Sequence, residues 1–522
     1  PMGSKAVAVF KSPLTGNLGE SYAGGRAGVA IRLAGYGAIV ITGASETPVY
    51  LAIHDDKVYF RSARGLWGVY SSITVGRIIA EREPKAGRRT IMRIGLAGER
   101  LVRYACVTTE TCRHFGRLGL GAVFGSKKLK AILVSGSKTV KVEKKKEYEK
   151  VYDEIFSEAT RRDLMKKYHE IGTSINVVPL SIKGGLPTMN LKAGRFGSEK
   201  ESPAEMISGE RFAREMLGRR ISCASCPVAC IHLAALREEY PTEPYFYKTV
   251  FVPYDYEPIY ALGSMLGVCD PKGLLRIIHK AEVFGIDAIS TGVCLAWATE
   301  AYEKGLVKKE DVIVDLSWGN SEAYVKAVEL IARRANEFYS NLAMGVEHAS
   351  SVYGGKEFAL SFSGNEMPGY HTGPAAHLGY LIGGRHSHLD SAGYSLDQKK
   401  PDVALNPEKA VEVLVKEESW RCLLNSLVIC LFARGIYTAE CISKALHPLG
   451  IEKTPEELVK LGEEIYVERY RLKVDLGFNL EKARVPERIL EVPTPLGKLE
   501  KSYFDKALKK FREILASKGL KV

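Results

Sequence analysis

Cys223, Cys226 and Cys230 fall within eight residues of one another, in "CASCPVAC", and no other stretch limits the fold so strongly. The spacing Cys-x-x-Cys-x-x-x-Cys puts three thiolates on a tight turn, close enough for a polynuclear cluster or a zinc ion but one ligand short of either. If the turn holds metal, a fourth ligand must come from far along the chain. Core packing, a disulfide, zinc and a redox cluster are the competing readings. Zinc ribbons repeat the Cys-x-x-Cys pair, and no second pair exists here. A radical-type site wants its wider gap first, and here that gap comes second. Cys430, in "RCLLNSLVICLFARG", would pass on its own as a core cysteine.

Composition bears on that choice. The chain has 522 residues, 46% hydrophobic and 26% charged, as a globular enzyme of about three domains should. No apolar run is long enough to span a membrane, and "PMGSKAVAVF" lacks the parts of a secretory signal, so the cytoplasm is the expected compartment. A reducing compartment disfavours disulfides. Cys106, Cys112, Cys269, Cys294, Cys422 and Cys441 stand singly and read as small buried hydrophobes. The net charge of +13 is not gathered into a basic stripe interleaved with aromatics, which argues against nucleic acid. The one dense run, "KVEKKKEYEK", reads as a solvated helix face. The excess suits anionic cofactors and acidic protein partners instead. Gln398 is the sole glutamine among many Lys, Arg and Glu, a composition that suggests a thermophilic source.

Two textures divide the chain. Up to about residue 138 it reads as strands and glycine turns, with "VYLAIHDDKVYF" (49–60) as a hairpin around Asp-Asp. Beyond it, amphipathic helices dominate. Val325, Val328, Ile331, Ala335 and Phe338 line one helix face after Ser321 as N-cap, and Phe504, Ala507, Phe511 and Ile514 line another. The helical part is too long for one core, and the glycine-rich stretch 351–370 is the expected second boundary. The fold class is therefore α+β, with a β-rich domain (1–138) followed by two mainly helical domains (139–355 and 356–522).

Several segments, in order, carry a resemblance: "KSPLTGNLGES", "AGYGAIVITG", "IGLAGERLVRYA", "GRLGLGAVFGSKKLKAI", "GGLPTMN", the cysteine triplet, "FGIDAISTG" and the Cys430 stretch. Together they resemble the aldehyde:ferredoxin oxidoreductase family, tungsten or molybdenum enzymes with a bis-pyranopterin cofactor beside a 4Fe-4S cluster. The resemblance implies that Cys223, Cys226, Cys230 and Cys430 ligate the cluster. It implies pterin contacts from Lys5, Tyr22, Gly24, Arg113, His114, Gly116, Arg117, Glu282, Ile286, Asp287, Gly383, His388, Asn425 and Ile429, with Mg2+ bridging the pterin phosphates. The family's paired signature, Asp-x-x-Gly-Leu-Asp/Cys, reads here as Glu282 to Asp287 and Asn425 to Cys430. Both lead positions depart from aspartate, and Val428 stands for a glycine. A longer carboxylate and a neutral amide can still meet ring N–H donors.

For catalysis the resemblance implies Glu257 and His386. Glu257, its pKa raised by burial, would manage the proton of the attacking water, and His386 would donate a hydrogen bond to the aldehyde oxygen; His388 and Asp390 are rivals or supports. Family members carry a longer stretch ahead of "KSPLTG", which here begins at residue 11, so the expectation is either that the chain is a fragment or that another polypeptide completes the first domain. The reading is thus an oxidoreductase that converts a small aldehyde to its acid and passes electrons to an acidic ferredoxin, as a homo-oligomer, with no nucleic acid and no membrane. The alternative is an iron–sulfur electron-transfer or assembly subunit that has lost the pterin site.

Overall fold

The computed structural model describes residues 1–84, 87–198, 201–240 and 242–520. The chain opens with an antiparallel ribbon, β1 (Ala6–Lys11) and β2 (Leu18–Ala23), in which Ala6 faces Ala23. A six-stranded sheet follows, built from β3 (Val49–His54), β4 (Lys57–Ser62), β5 (Arg88–Arg93), β6 (Val107–Thr108), β7 (His114–Phe115) and β8 (Leu129–Gly136) in the spatial order β4-β3-β8-β5-β6-β7. β8 is buried along its whole length, running parallel to β3 and antiparallel to β5. A strand covered on both faces needs a near-continuous apolar run, and "LKAILVSG" supplies one.

The expected hairpin is present as β3 and β4, turning at Asp55 with φ +53. Its burial is not the simple alternation of its sequence: β3 lies between two strands and is buried along its middle, whereas the edge strand β4 is exposed throughout. The later helices also differ in detail. Asn320, not Ser321, caps the helix Ser321–Arg333 by accepting the Ala323 N–H. Arg334 then turns left-handed, so Ala335 and Phe338 fall beyond that helix, Phe338 on the next one, Glu337–Leu342. The helix Lys501–Ser517 buries Phe504, Ala507 and Phe511 as expected, with Ile514 partly buried.

Helices outnumber strands after residue 138, and the α+β reading holds. One large buried cluster gathers side chains from Leu14 to Leu520 and includes residues of both helical parts. Phe358, Leu360, Phe362 and Met367, within the stretch expected to divide them, are part of it. No described helix is long and apolar enough to cross a membrane.

A smaller sheet positions the chemistry. β9 (Leu217–Ile221), β10 (Ile231–Tyr240) and β11 (Glu243–Tyr254) pair antiparallel in the order β11-β10-β9. The cysteine triplet is the connection from β9 to β10, and the helix Tyr256–Leu262 begins where β11 ends. Because His232 pairs with Tyr254, the cysteine turn and the Asp255–Glu257 corner leave the sheet at the same end.

Candidate active site

The fourth cysteine reaches the triplet through the N-terminal segment. Met2 N–H donates to Ser225 O (3.0 Å) in the triplet turn, Cys430 N–H donates to Met2 O (2.9 Å), and Lys5 N–H donates to Val428 O (3.1 Å). Residues 2–5 thus lace two segments that lie two hundred residues apart in the chain. The helix Pro407–Ser426 stops short of Cys430, which sits on the following loop and not at a helix end as its apolar context suggests. Val428 there has φ +54, a left-handed conformation that is costly for a β-branched residue and accounts for a glycine at that place in the family signature.

Cys223, Cys230 and Cys430 lie near enough to Cys226 to act on its thiol. Burial pushes the Cys226 thiol up to about 12, with Cys430, Cys223 and Cys230 adding to the effect as neighbouring negative charges, and burial likewise raises Cys230. Thiols of this kind become thiolates when a cationic metal binds them, although among the described residues no three His, Cys, Asp or Glu side chains are arranged to hold a metal ion. Gly25 N–H donates to Cys223 Sγ at 3.1 Å, the kind of backbone contact that tunes such sulfurs. A side chain at Gly24 would lie 2.9 Å from Cys223 Sγ. Of the six other cysteines, Cys106, Cys294 and Cys422 are buried as expected. Cys112 and Cys441 are only partly covered, and Cys269, next to the surface helix cap Asp270, is exposed.

Arg113 links this group to the carboxylates. Its guanidinium donates to Asp255 Oδ2 at 3.2 Å and is held charged by Cys230, Asp255 and Cys223 against the cost of burial. Asp255 is raised by burial and by the adjacent Glu257. Glu257 goes the other way: burial pushes its pKa up, but His388 and Arg113 outweigh it and hold the carboxyl below its ordinary value. That corrects the expectation of a raised Glu257. Its partner is His388, whose Nε2 stands 3.1 Å from Glu257 Oε1. His388 Nδ1 is buried with no partner among the described residues, so it faces a place for a polar group. The Tyr370 ring packs on His388 at 5.3 Å and stacks on Tyr394 at 4.2 Å.

His386 does not fill the expected role. It is 1% exposed, and both ring nitrogens are engaged within the protein: Nδ1 with Tyr380 O at 2.9 Å and Nε2 with Lys473 Nζ at 2.8 Å. A carbonyl can only accept, so Nδ1 carries the proton of the neutral ring and Nε2 accepts from Lys473, whose pKa burial lowers to about 7; no N–H remains for an aldehyde oxygen. Burial and Lys473 together push the ring pKa down to about 3. Lys473 spends its other two N–H bonds on Gly383 O and Gly384 O, clamping the loop that precedes His388. Asp390 is likewise a support. It receives Arg385 at 2.6 Å and Arg469 at 3.4 Å and closes a capping box with Ser387, fixing the turn that presents His388. Arg469 also binds Glu418 and reaches Glu20 on β2, tying the first ribbon to the last helices.

The other residues assigned to the pterin group into three neighbourhoods. Lys5, Gly24 and Arg113 surround Cys223, with Ile429 bridged to Gly3 and Asn425 buried just behind. Arg117, Asp287, His114, Glu282 and Ile286 form the second. Arg117 Nε donates to Asp287 Oδ2 (3.1 Å), His114 Nε2 lies 2.7 Å from Glu282 Oε1, and Ile286 bridges to Ala105. Gly116 adjoins them, and a side chain there would meet only His114 Cβ, at 3.7 Å. Tyr22, under the Arg385 guanidinium at 4.8 Å, and Gly383, beside Asp390, make the third. Arg117 Nη1 is buried and unpaired among the described residues, as is Asn365 Oδ1. Of these glycines only Gly116 has open space beside it, and next to it Arg117 Nη1 is a buried donor able to meet an anionic group such as a phosphate.

Comparison with known proteins bears directly on this arrangement. The family profile described as "Aldehyde ferredoxin oxidoreductase, N-terminal domain" matches residues 1–136, and that for its "domains 2 & 3" matches residues 150–516. The chain belongs to the aldehyde ferredoxin oxidoreductase family. It is 33% identical over 515 residues to a tungsten-containing aldehyde ferredoxin oxidoreductase of Thermococcus kodakarensis, covering 95% of this chain and 81% of that one. A Pyrococcus furiosus relative described as an "Aliphatic sulfonate oxidoreductase, WOR-like subunit" is 31% identical over 64% of this chain and 53% of its own. Among solved structures, the active-site complex BamBC of benzoyl coenzyme A reductase shares the fold, with TM-score 0.80 at 20% identity, covering 99% of this chain and 84% of that one.

Sequence reasoning missed Asp255, Lys473, Arg469 and Glu366. Asp255 stands two residues from Glu257 and could have been noticed. The others look like ordinary helix or strand charges until the fold buries them.

Proposed function

We propose that this cytoplasmic protein oxidises an aldehyde to its carboxylic acid with water as oxygen donor and passes the electrons to ferredoxin. One observation carries the reading: Arg113 bonds Asp255 and lies near enough to Cys230 and Cys223 for their charges to act on it, while Glu257, beside Asp255, pairs with His388, so these groups gather in one region. When bound, a tungsten or molybdenum bis-pyranopterin with Mg2+ on its phosphates supplies the two-electron acceptor, and a 4Fe-4S cluster held by Cys223, Cys226, Cys230 and Cys430 the one-electron relay.

The chain's own groups do the proton work. Glu257, held ionised, accepts a proton from the water that attacks the aldehyde carbon. His388 Nε2 keeps that carboxylate turned, and its free Nδ1 lies where it can bond the substrate oxygen. The stacked Tyr370 and Tyr394 rings form an apolar wall beside it. Arg117, Arg113 and Lys5 offer cationic and N–H contacts to phosphates, with Glu282 and Asp287 as acceptors.

Asn425 and the strained Val428 favour a second reading, in which the second pterin half-site is impaired and the chain serves as an iron–sulfur subunit. Metal analysis with aldehyde-dependent reduction of a viologen dye separates the two. Iron with tungsten or molybdenum, and aldehyde-dependent reduction, is the expected result. Iron without the heavier metal would overturn the enzyme reading.

A further inference from the structure

We propose that Glu366 carries a proton at neutral pH and shares it through Ser290 with Asp287, forming an acid–hydroxyl–carboxylate relay behind the cofactor cradle. The part that concerns the cofactor rests on the reading of Asp287 as a pterin contact; the proton itself does not.

Counting hydrogens carries the argument. Ser290 Oγ lies 2.7 Å from Asp287 Oδ2 and 2.6 Å from Glu366 Oε2. Both separations are hydrogen bonds, yet the hydroxyl owns one proton and can donate only once. The second bond needs a proton from one of the carboxyls. Asp287 is the better-supplied acceptor: Oδ2 receives Arg117 Nε–H and Oδ1 receives Ile289 N–H. Glu366 has no cation at its carboxyl. Arg117 reaches only the Glu366 main-chain oxygen (2.8 Å), and Oε1 is met by Val346 N–H (3.0 Å) and the Cys294 thiol (3.9 Å). Tyr104, nearby, gives its hydroxyl proton to Leu342 O. Glu366 is 0% exposed, and burial raises its pKa more than these donors lower it. A buried carboxyl so placed keeps its proton.

The relay balances. Glu366 Oε2–H passes to Ser290 Oγ as Ser290 Oγ–H passes to Asp287 Oδ2, giving a Glu366 carboxylate and an Asp287 acid with no net loss. Negative charge then moves away from the cradle without exchange with solvent. Glu366 is a positioning residue that acts through Asp287.

Infrared spectroscopy of the whole chain tests this with or without bound cofactor. A protonated carboxylic acid has a carbonyl-stretch band that carboxylates lack. At neutral pH we expect one such band per chain to vanish in Glu366→Gln, whose amide can still donate to Ser290 and accept from Val346, and to shift in Ser290→Ala. Persistence of the full band in Glu366→Gln would overturn the assignment of the proton, and an unmoved band in Ser290→Ala would overturn the sharing. In wild type loaded with cofactor, reducing the metal centre should shift the band; a band indifferent to reduction would cut the link to the cradle. Absence of tungsten or molybdenum from the protein would sink the pterin reading and leave the band test standing.

Discussion

Removing the His388 ring should move the acid limb of the pH–rate profile upward. Glu257 is buried enough to favour its neutral acid, and the Nε2 contact at 3.1 Å is the largest influence opposing that. A hydrogen bond to a charged group contributes about 1.5–3 kcal/mol, and one pKa unit corresponds to about 1.4 kcal/mol. In His388→Leu the Glu257 carboxyl should therefore rise from its lowered position, burial no longer being opposed by its main partner. The sign follows from the role: the base must be ionised, so raising its pKa removes activity from the acid side first. The assay is kcat/KM against pH for aldehyde oxidation with a viologen acceptor, wild type beside His388→Leu and His386→Phe. The His386 variant should keep the wild-type acid limb in whatever fraction folds, because His386 has no N–H to offer the site. An unmoved limb in His388→Leu, or a moved one in His386→Phe, would refute the pairing.

Three further outcomes are expected. Cys430→Ser should abolish or strongly alter the paramagnetic resonance signal of the reduced cluster while Cys441→Ser leaves it; equal behaviour of the two would remove Cys430 from the ligand set. Lys473→Met strands Gly383 O, Gly384 O and His386 Nε2, and a buried acceptor left unmet costs about 1–3 kcal/mol, so the melting temperature should fall; an unchanged melting curve would show that water replaces the amine. With a net charge of +13, ferredoxin reduction should slow steeply as ionic strength rises from about 0.01 M to 0.15 M, where the screening length shrinks from roughly 30 Å to 8 Å; a flat dependence would exclude charge steering.

Much of the fold was legible because its signals are local. The hairpin at 49–60, the apolar β8 and the periodic faces of the later helices follow from residues that lie near one another in the chain. The misplaced details share a cause. Asn320 outcompetes Ser321 as cap, and Arg334 ends its helix in a left-handed turn, because neighbouring backbone geometry and not the apolar repeat decides where a helix stops. The glycine-rich stretch 351–370 reads from sequence only as a boundary; that it holds a tight turn, Gly364 at φ +85 between two short buried strands, is decided by the tertiary structure.

The sequence by itself determined the chemistry on offer. Three cysteines on a turn, a late fourth, Glu257, the doubled histidines and the glycine and arginine loops are written in the chain, and their order alone resembles one family. Which of them meet was decided by the tertiary structure. His386 and His388 are two residues apart and chemically identical, yet the turn held by Asp390 sends one against Lys473 and the other against Glu257. Glu257 reads as a carboxylate whose burial would raise its pKa, but its neighbours, drawn from residues 113 and 388, lower it instead. The physical reason is the same in each case: a side chain's protonation and bonding depend on charges and donors within a few ångströms, and in a fold of this size most of those come from hundreds of residues away.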